Sequence, residues 1–378
     1  MKKYYNNPLR RQCLSLQQLA SVQMENSIHN FETLLKEELI GRIDRLVVTG
    51  CGDSYLAAAM SRGAFKKYVR DCRFEAVRAI DAARYIPLAE SEPNTMIVAI
   101  SASGATARIA EILERGKKHG CVTVALTNNG SSRAAQTADY PYLTETPFFP
   151  NDNPGLRSYF ASLISLTVMA AVMGEIRGGG SFLPELKSKL LEYNEIFFSG
   201  IDSIDSRCLA VSEKWEKKKG FEVVADGDLF CCGEFIAAKF AEVSGDMCTV
   251  IDSENYCHVN GLIRPGEDVG TIVLAVSDEA NMERIADTMD RQKADGRSIL
   301  LVSDKQPEEA GAASEADFCK IPVPDPDFRF LLTLYAHIPG ALLAGYRSEL
   351  IDEPYFRGNE IFFRPQNMTI NENVINVI

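Results

Sequence analysis

The chain has 378 residues, of which 46% are hydrophobic and 24% are charged, and its formal net charge is −12. These values are ordinary for a globular protein, and the length is sufficient for two domains with an apolar core in each. The acidic charge argues against broad binding to nucleic acid, which depends on cationic contacts to phosphates.

The sequence lacks the usual signs of export, membrane insertion and metal binding. The first residues contain no apolar stretch typical of a signal peptide. The longest apolar run, 160–174, is shorter than the ~20 residues that a membrane span needs. The ten cysteines show no CxxC pair and no metal-like spacing, so we expect free thiols in a reducing compartment. We therefore predict a cytoplasmic protein with no membrane or nucleic-acid partner, no metal and no cofactor.

In the first half of the chain, short apolar segments alternate with segments of helical period. The predicted strands are 45–49, 72–80, 95–100 and 121–126, and the predicted helices are 12–40, 54–69, 106–118 and 160–174. Near-continuous apolar strands separated by helices predict a parallel sheet that is covered on both faces.

A glycine-rich linker at 177–181 leads into a second half with the same alternation. Helices are predicted at 182–200, 204–218 and 328–348, the last one broken or kinked at Pro339-Gly340, and strands at 221–225, 248–251, 271–276, 297–302 and 318–322. We expect an N-terminal helix with a first domain over 1–178, a second domain over 179–348 and a C-terminal tail over 349–378. Each domain is predicted to be a mainly parallel five-stranded α/β sheet flanked by helices, in a flavodoxin-like arrangement.

The two halves repeat each other at an offset of 176 residues. Segments 46–49, 96–100 and 121–129 align with 222–225, 272–276 and 297–305. A shared offset across three apolar strands indicates a duplicated unit. Only the first copy carries a turn rich in Ser and Thr, so we expect the two copies to have divided the work.

That turn has the sequence Ser-Ala-Ser-Gly-Ala-Thr at 101–106, between an apolar strand and a helix. Ser101, Ser103 and Thr106 place three hydroxyls beside the free N–H groups of a helix start, which suits a phosphate group. A second turn at 50–54 contains Gly52 and Ser54 after a neighbouring strand, and ligands of doubly wound sheets bind at this edge.

Two other interpretations of these turns stay open. The first is an ordinary helix cap, in which one Ser satisfies the helix and the other hydroxyls are solvated. The second is a dinucleotide site, because 50–54 is glycine-rich. The dinucleotide fingerprint needs a small residue where Tyr55 stands, so we favour a phosphosugar protein over a nicotinamide enzyme.

The two turns resemble those of the sugar isomerase (SIS) domain family. The duplication resembles the two-domain isomerase portion of glucosamine–fructose-6-phosphate aminotransferases and of fructosamine-6-phosphate deglycases, from about residue 20 to 350. The resemblance implies that Ser101, Ser103 and Thr106 bind the sugar phosphate, with help from Ser54 and Gly52. It also implies a homodimer, and we expect the apolar helix at 157–174 to pair between subunits.

In the second copy, the resemblance assigns substrate binding to Lys239 and catalysis to Glu242 and His258, which have the family's spacing. Independently of it, Lys239 and Glu242 are i, i+3 neighbours on one helix face. Glu242 follows a small, apolar segment, where desolvation would raise its pKa and suit it as a general base. His258 would assist ring opening. The alternative is a surface ion pair and a solvated histidine.

The sequence thus predicts an enzyme that acts on an amino- or aminoacyl-hexose 6-phosphate by proton transfer between adjacent carbons. The candidate reactions are aldose–ketose isomerisation and deglycation or deamination of a fructosamine 6-phosphate. We expect no glutaminase activity, because position 2 is Lys and no glutaminase domain is seen. The alternative is a non-catalytic phosphosugar-binding regulator, since the fold does not decide function.

Overall fold

The structure is a computed structural model that describes residues 6–34, 36–277, 280–312, 315–359 and 377. These residues fall into two compact units. The first-sheet unit contains 16–150 and 157–191, and the second-sheet unit contains 192–359 together with 6–15 and 151–156. The domain boundaries at 178 and 348 stay predictions, and most of the predicted tail at 349–378 lies outside the described residues.

The first half of the chain forms a five-stranded parallel sheet. Its strands are β1 (Arg45–Gly50), β2 (Arg73–Arg78), β3 (Thr95–Ile100), β4 (Val122–Thr127) and β5 (Tyr140–Leu143). Its helices are α1 (Pro8–Leu34), α2 (Glu37–Ile40), α3 (Asp53–Met60), α4 (Arg62–Tyr68), α5 (Ala79–Arg84), α6 (Ala107–Lys118), α7 (Arg133–Thr137) and α8 (Leu156–Ile176). The strand order is β2-β1-β3-β4-β5, and every residue of β3 and β4 is buried.

The second half forms another five-stranded parallel sheet. Its strands are β6 (Gly220–Ala225), β7 (Cys248–Ile251), β8 (Val269–Leu274), β9 (Ser298–Ser303) and β10 (Asp317–Lys320). Its helices are α9 (Leu183–Ser199), α10 (Ile201–Lys214), α11 (Leu229–Ser244), α12 (Ser253–His258), α13 (Met282–Ala294) and α14 (Ile338–Leu350). The order β7-β6-β8-β9-β10 repeats that of the first sheet, so the predicted class of two tandem α/β sheets is confirmed.

Strand pairing shows that the offset between the two copies is not constant. Val47 on β1 pairs with Ile97 on β3, and Val223 on β6 pairs with Ile272 on β8. The β1 and β6 positions are 176 residues apart, whereas the β3 and β8 positions are 175 apart. The predicted uniform offset is therefore wrong by one residue at this strand. The strands are conserved in order, and the connections between them differ in length.

Two predicted elements differ in detail. The predicted helix at 54–69 is interrupted at Ser61, whose hydroxyl donates to the carbonyl oxygen of Ala58 at 2.8 Å. The predicted helix at 328–348 is broken, but the break comes before Pro339 and not at Pro339-Gly340. A 3₁₀ segment ends at Leu334 and α14 begins at Ile338, so Pro339 lies in the first turn of α14. Proline is tolerated there because first-turn N–H groups have no partner within the helix.

Two long apolar stretches are buried in the chain. Leu156–Ile176 and Pro326–Leu350 are long and apolar enough to span a membrane, but 89% and 94% of their most apolar windows are buried inside the structure. The first stretch contains the apolar run that was interpreted as a core helix. Since α8 is covered within one chain, its apolar surface no longer supports the prediction of a homodimer.

Candidate functional site

The two predicted turns of the first-sheet unit lie side by side. Gly50, the last residue of β1, is paired with Ile100, the last residue of β3. Both strands end at the same edge of a parallel sheet, so the turns at 50–54 and 101–106 begin next to each other. This carboxyl edge is where ligands bind in open α/β sheets.

Hydrogen bonds to hydroxyl groups within the turn at 101–106 fix its backbone conformation. The Oγ of the buried Ser101 accepts a hydrogen bond from the N–H of Gly104 at 3.1 Å, and the Oγ of the exposed Ser103 accepts from the N–H of Ala105 at 3.3 Å. Thr106 is the N-cap residue of α6, but its side chain makes no capping hydrogen bond. The Thr106 hydroxyl and the first N–H groups of α6 therefore stay available to an anion.

Gly104 permits this shape for two reasons. Its φ of +64° is a conformation that residues with side chains rarely adopt. In addition, a Cβ atom at this position would lie 2.0 Å from the Oγ of Ser132. The turn at 101–106 thus requires glycine both for its backbone angle and for the space beside Ser132.

A third turn, after β4, braces the turn at 101–106, and the sequence analysis did not identify it. The carbonyl oxygen of Ala102 accepts from the hydroxyl of Thr127 at 3.2 Å and from the N–H of Asn128 at 2.9 Å. The N–H of Ala134 donates to the carbonyl oxygen of Gly104 at 3.1 Å. The signal was present, because polar residues follow the apolar strand at 121–126 as they follow the other two.

The turn at 50–54 also has a backbone that a ligand can approach closely. Gly52 is exposed, has a φ of +53° and precedes α3, and Ser54 lies half-buried in the first turn of that helix. Burial raises the pKa of the neighbouring Cys51 thiol, and the charge of Arg108 on α6 acts in the opposite direction. A cation thus lies near both turns, although Arg108 is itself ion-paired with Glu111.

The matching edge of the second sheet carries carboxylates instead. Asp304 accepts from the N–H of Ser277 at 2.7 Å and also from the Ser277 hydroxyl. Asp226, after β6, accepts from the N–H of Ser253 at 2.9 Å and from the side chain of Asn281. Two carboxylates would repel a phosphate at this edge. This difference in charge supports the prediction that phosphate binds to the first copy and not to the second.

Lys239 and Glu242 are brought together on α11. The Lys239 side chain is fully buried, and its Nζ atom contacts the Glu242 carboxylate, whose side chain is 31% exposed. The same ammonium group lies 4.7 Å from the ring centroid of Phe235. The lysine is inside the protein and the carboxylate is partly exposed, so this is not an ion pair between two exposed side chains, and the assignment of the pair to the reaction stays a prediction. A buried cation beside Glu242 favours its ionised form, which a general base requires.

His258 has a different environment. Its side chain is 67% exposed and lies at the end of α12, where Nε2 is 3.3 Å from the Oε1 of Glu254. Glu254 also pairs with Arg284 at 2.8 Å. Within the second-sheet unit, His258 has the contacts of a solvated histidine, and its assignment to catalysis stays a prediction.

His337, which begins helix α14 as its N-cap residue, is fully buried. Its ring packs edge-on against Phe235, with 4.7 Å between ring centroids. Burial lowers the pKa of His337 to about 3, so its imidazole is neutral at physiological pH. Among the described residues, no group of three or more Cys, His, Asp or Glu side chains is arranged to hold a metal ion.

Comparison with known proteins identifies the first sheet. Residues 39–172 match the family of SIS domains. The first sheet is therefore similar to a SIS domain. The matched range begins before β1 and includes both turns of the candidate phosphate site, so the resemblance inferred from 50–54 and 101–106 is confirmed.

Curated relatives cover both halves of this chain. Glutamine–fructose-6-phosphate aminotransferase of Rhizobium meliloti is 27% identical over 288 residues, which are 73% of this chain and 44% of that protein. A relative from Thermococcus kodakarensis with the same name is 23% identical over 298 residues, 75% of this chain and 47% of that protein. The chain spans about half the length of these relatives.

Solved structures extend the similarity to nearly the whole chain. The C-terminal domain of glucosamine-fructose-6-phosphate aminotransferase from Francisella tularensis has a TM-score of 0.79 at 16% identity, covering 94% of this chain and 98% of that one. Glucosamine-6-phosphate deaminase from Thermotoga maritima has a TM-score of 0.66 at 18% identity, covering 92% and 97%. The shared fold is that of two parallel five-stranded α/β sheets in one chain.

Proposed function

We propose that this protein is an enzyme that transfers a proton between adjacent carbons of an amino- or aminoacyl-hexose 6-phosphate. The observation that carries the proposal is the buried Lys239 ammonium, which holds a partly exposed Glu242 carboxylate on α11. Burying a charged ammonium group costs free energy. An ion pair whose only role is to stabilise a helix could lie wholly on the surface, so the burial of Lys239 favours a functional role for the pair. Relatives named as isomerising aminotransferases and a deaminase support this reaction class.

In the proposed mechanism, the first sheet binds the phosphate. Ser103, Thr106 and the free N–H groups at the start of α6 donate hydrogen bonds to phosphate oxygens, and Ser101 and Gly52 maintain the shape of the two turns. Ser54 contributes a further hydroxyl. Binding energy from a phosphate remote from the reacting carbons positions the substrate for the chemical step.

Glu242 then acts as the base. For an isomerase, its carboxylate removes the proton from C2 of the open-chain aldose, giving an enediol, and returns a proton to C1. For a deglycase, it removes a proton from C1 of the fructosamine to give an enaminol, and protonation at C2 leaves an imine that water hydrolyses to an aldose and an amine. Lys239 stabilises the carboxylate, and its predicted contact with the substrate is replaced by this indirect role because its side chain is fully buried. His258 promotes ring opening in both cases.

The test compares turnover with binding. Glu242→Gln keeps the size of the side chain and removes its basicity, so we expect unchanged phosphosugar affinity and a turnover number lowered at least a hundredfold. Glu195→Gln, an exposed change on α9, is the matched control and should keep parental turnover. Candidate substrates come from a thermal-shift screen of hexose, amino-hexose and fructosamine 6-phosphates, followed by product analysis. Parental turnover in Glu242→Gln would refute the proposed base.

One observation favours a second function, a non-catalytic phosphosugar sensor. His258 is 67% exposed and faces Glu254, as a histidine without a catalytic role would. If the parent binds a phosphosugar but converts none of the screened compounds, and Glu242→Gln binds equally well, the sensor function is supported. The homodimer and the cytoplasmic location stay proposals, and light scattering at micromolar concentration tests the former.

A further inference from the structure

A cavity of about 280 Å³ opens at the amino edge of the second sheet, the edge where β6, β7 and β8 begin. The carboxylates Asp226 and Asp304 lie after the ends of β6 and β9, at the opposite edge. The cavity is lined by Phe221, Glu222, Met247, Thr249, Ile263 and Arg297, among others. It is distinct from the turns to which phosphate binding is assigned, because every lining residue belongs to the second-sheet unit.

The base of this cavity contains two polar side chains, Glu222 and Thr271, at a place where apolar side chains could also complete the sheet. Glu222 on β6 is 1% exposed, and it pairs in the sheet with Thr271 on β8. At the matching positions of the first sheet, Val47 pairs with Ile97, and both are buried. A buried carboxylate is costly, yet the first sheet shows that apolar side chains close this edge. The Glu222–Thr271 pair therefore points to a role other than folding.

Arg297 supplies the second observation. Its side chain is buried, with 4% of the residue exposed, and its Nη2 atom donates to the carbonyl oxygen of Asn260 at 2.8 Å. Its Nε–H is buried and has no acceptor among the described residues. Buried donors without a partner are rare in folded proteins. The Nε–H itself is not accessible from the cavity, and the contribution of Arg297 to the cavity wall is its positive charge.

The charges around the cavity favour an anion. Lys219 pairs with Asp268 at 2.7 Å. The oxygens of Glu222 accept from Asn260 and from Thr271. Burial raises the pKa of Glu222, and the charge of Arg297 acts in the opposite direction. The lining holds three cationic side chains, Lys219, Arg264 and Arg297, against the two carboxylates of Glu222 and Asp268, so an excess of positive charge remains.

The remaining walls are apolar. Phe221, Ile263 and Pro265 line the cavity, and Met247, which is 75% exposed, lies among them at the surface. Small-molecule sites combine such apolar walls with a few polar groups that fix orientation. We propose that this cavity binds a small organic carboxylate with an apolar body of several carbons, whose carboxylate meets Arg297 and whose body lies against Phe221 and Ile263.

Isothermal titration of the full chain tests this site, with hexanoate as the probe and hexanamide and hexylamine as matched ligands. We expect saturable binding of hexanoate, weaker binding of hexanamide and no binding of hexylamine. Arg297→Met should weaken hexanoate at least tenfold, and the exposed control Lys320→Met should leave it unchanged. Thr106→Val, in the candidate phosphate site, should also leave hexanoate affinity unchanged.

Met247→Trp provides a second variant if Arg297→Met does not fold, which circular dichroism will show. The larger side chain narrows the cavity from an exposed position and should weaken hexanoate at least fivefold. The proposal is overturned if hexanoate does not bind the parent, if hexylamine binds as well as hexanoate, or if hexanoate affinity is unchanged in every folded cavity variant.

Discussion

The carboxylate of Asp304 accepts a hydrogen bond from the N–H of Ser277 at 2.7 Å. Ser277 lies three residues after the end of β8, in the part of the second sheet that corresponds to the turn at 101–106 after β3. In the first sheet, the corresponding turn is lined by neutral hydroxyls and N–H groups. In the second sheet, the protein's own carboxylate takes those donors, which leaves them unavailable to a phosphate.

This relationship predicts that hydroxyl substitutions in the two copies have unequal effects on ligand binding. Thr106→Val is nearly isosteric and removes one donor to phosphate, so we expect fructose 6-phosphate to bind at least tenfold more weakly. Ser277→Ala should change the affinity less than twofold, because its hydroxyl already donates to Asp304. Titration calorimetry measures both, and an equal loss in the two variants would contradict the assignment of the phosphate to the first copy.

Two glycines in the candidate phosphate site predict different stability losses. Gly104→Ala combines a positive φ with a Cβ placed 2.0 Å from the Oγ of Ser132, so we expect the free energy of unfolding to fall by about 3 kcal/mol or more. At Gly52, where φ is also positive, no atom lies within 4 Å of the added Cβ. Gly52→Ala should therefore cost only the backbone strain, about 1–2 kcal/mol. Urea unfolding compares the two, and a larger loss in Gly52→Ala would be evidence against this packing.

The buried Lys239 predicts a separation between stability and activity. Lys239→Met keeps most of the side-chain volume but leaves the Glu242 carboxylate, whose side chain is 31% exposed, without its cation. We therefore expect the free energy of unfolding to fall by about 1–2 kcal/mol. Lys239→Ala leaves a void and should cost about 2–4 kcal/mol. Both variants should lose at least tenfold in turnover, because Glu242 loses its cationic partner. Full turnover in a folded Lys239→Met variant would show that the pair has only a structural role.

His337 predicts a pH dependence of stability. Burial lowers its pKa from an ordinary 6.5 to about 3. Between these values the unfolded chain binds a proton that the folded protein does not bind, so stability decreases as the pH falls from 6.5 toward 3. The slope from this one group approaches about 1.4 kcal/mol per pH unit.

His337→Leu removes that group, and the slope of unfolding free energy against pH should become shallower by about this amount. The exposed His29 on α1 offers a control, since His29→Leu should keep the parental slope. Chemical denaturation at several values between pH 4 and pH 7 gives both slopes. Equal slopes in the parent and in His337→Leu would show that the folded protein protonates this histidine.

The central strands could be predicted from sequence because each is an unbroken run of apolar residues, and the structure confirms β1, β3, β6 and β8 within two residues at either end. Strand β5 was missed in the chain-order prediction. It has four residues, lies at the edge of the sheet and contains Pro141. Proline gives no strand signal, although an edge strand tolerates it.

For the candidate site, sequence spacing placed Lys239 beside Glu242 correctly, because i, i+3 neighbours on a helix share a face. Spacing could not show that Lys239 is buried, since burial depends on what packs over α11. It also could not reveal that Asp304 occupies the donors of Ser277. That contact joins residues 27 positions apart through the pairing of β8 with β9, and one sequence contains no direct record of such pairing.

The carboxylate at Asp304 also has a consequence for stoichiometry. Two identical sheets would offer two equivalent anion pockets per polypeptide, and titration with a sugar phosphate would saturate at two equivalents. Because the Asp304 carboxylate already occupies the donors of the second pocket, we expect saturation at one sugar phosphate per chain. Joining the two copies in one polypeptide is what allows this loss of symmetry, because a mutation in one copy of a fused gene leaves the other unchanged.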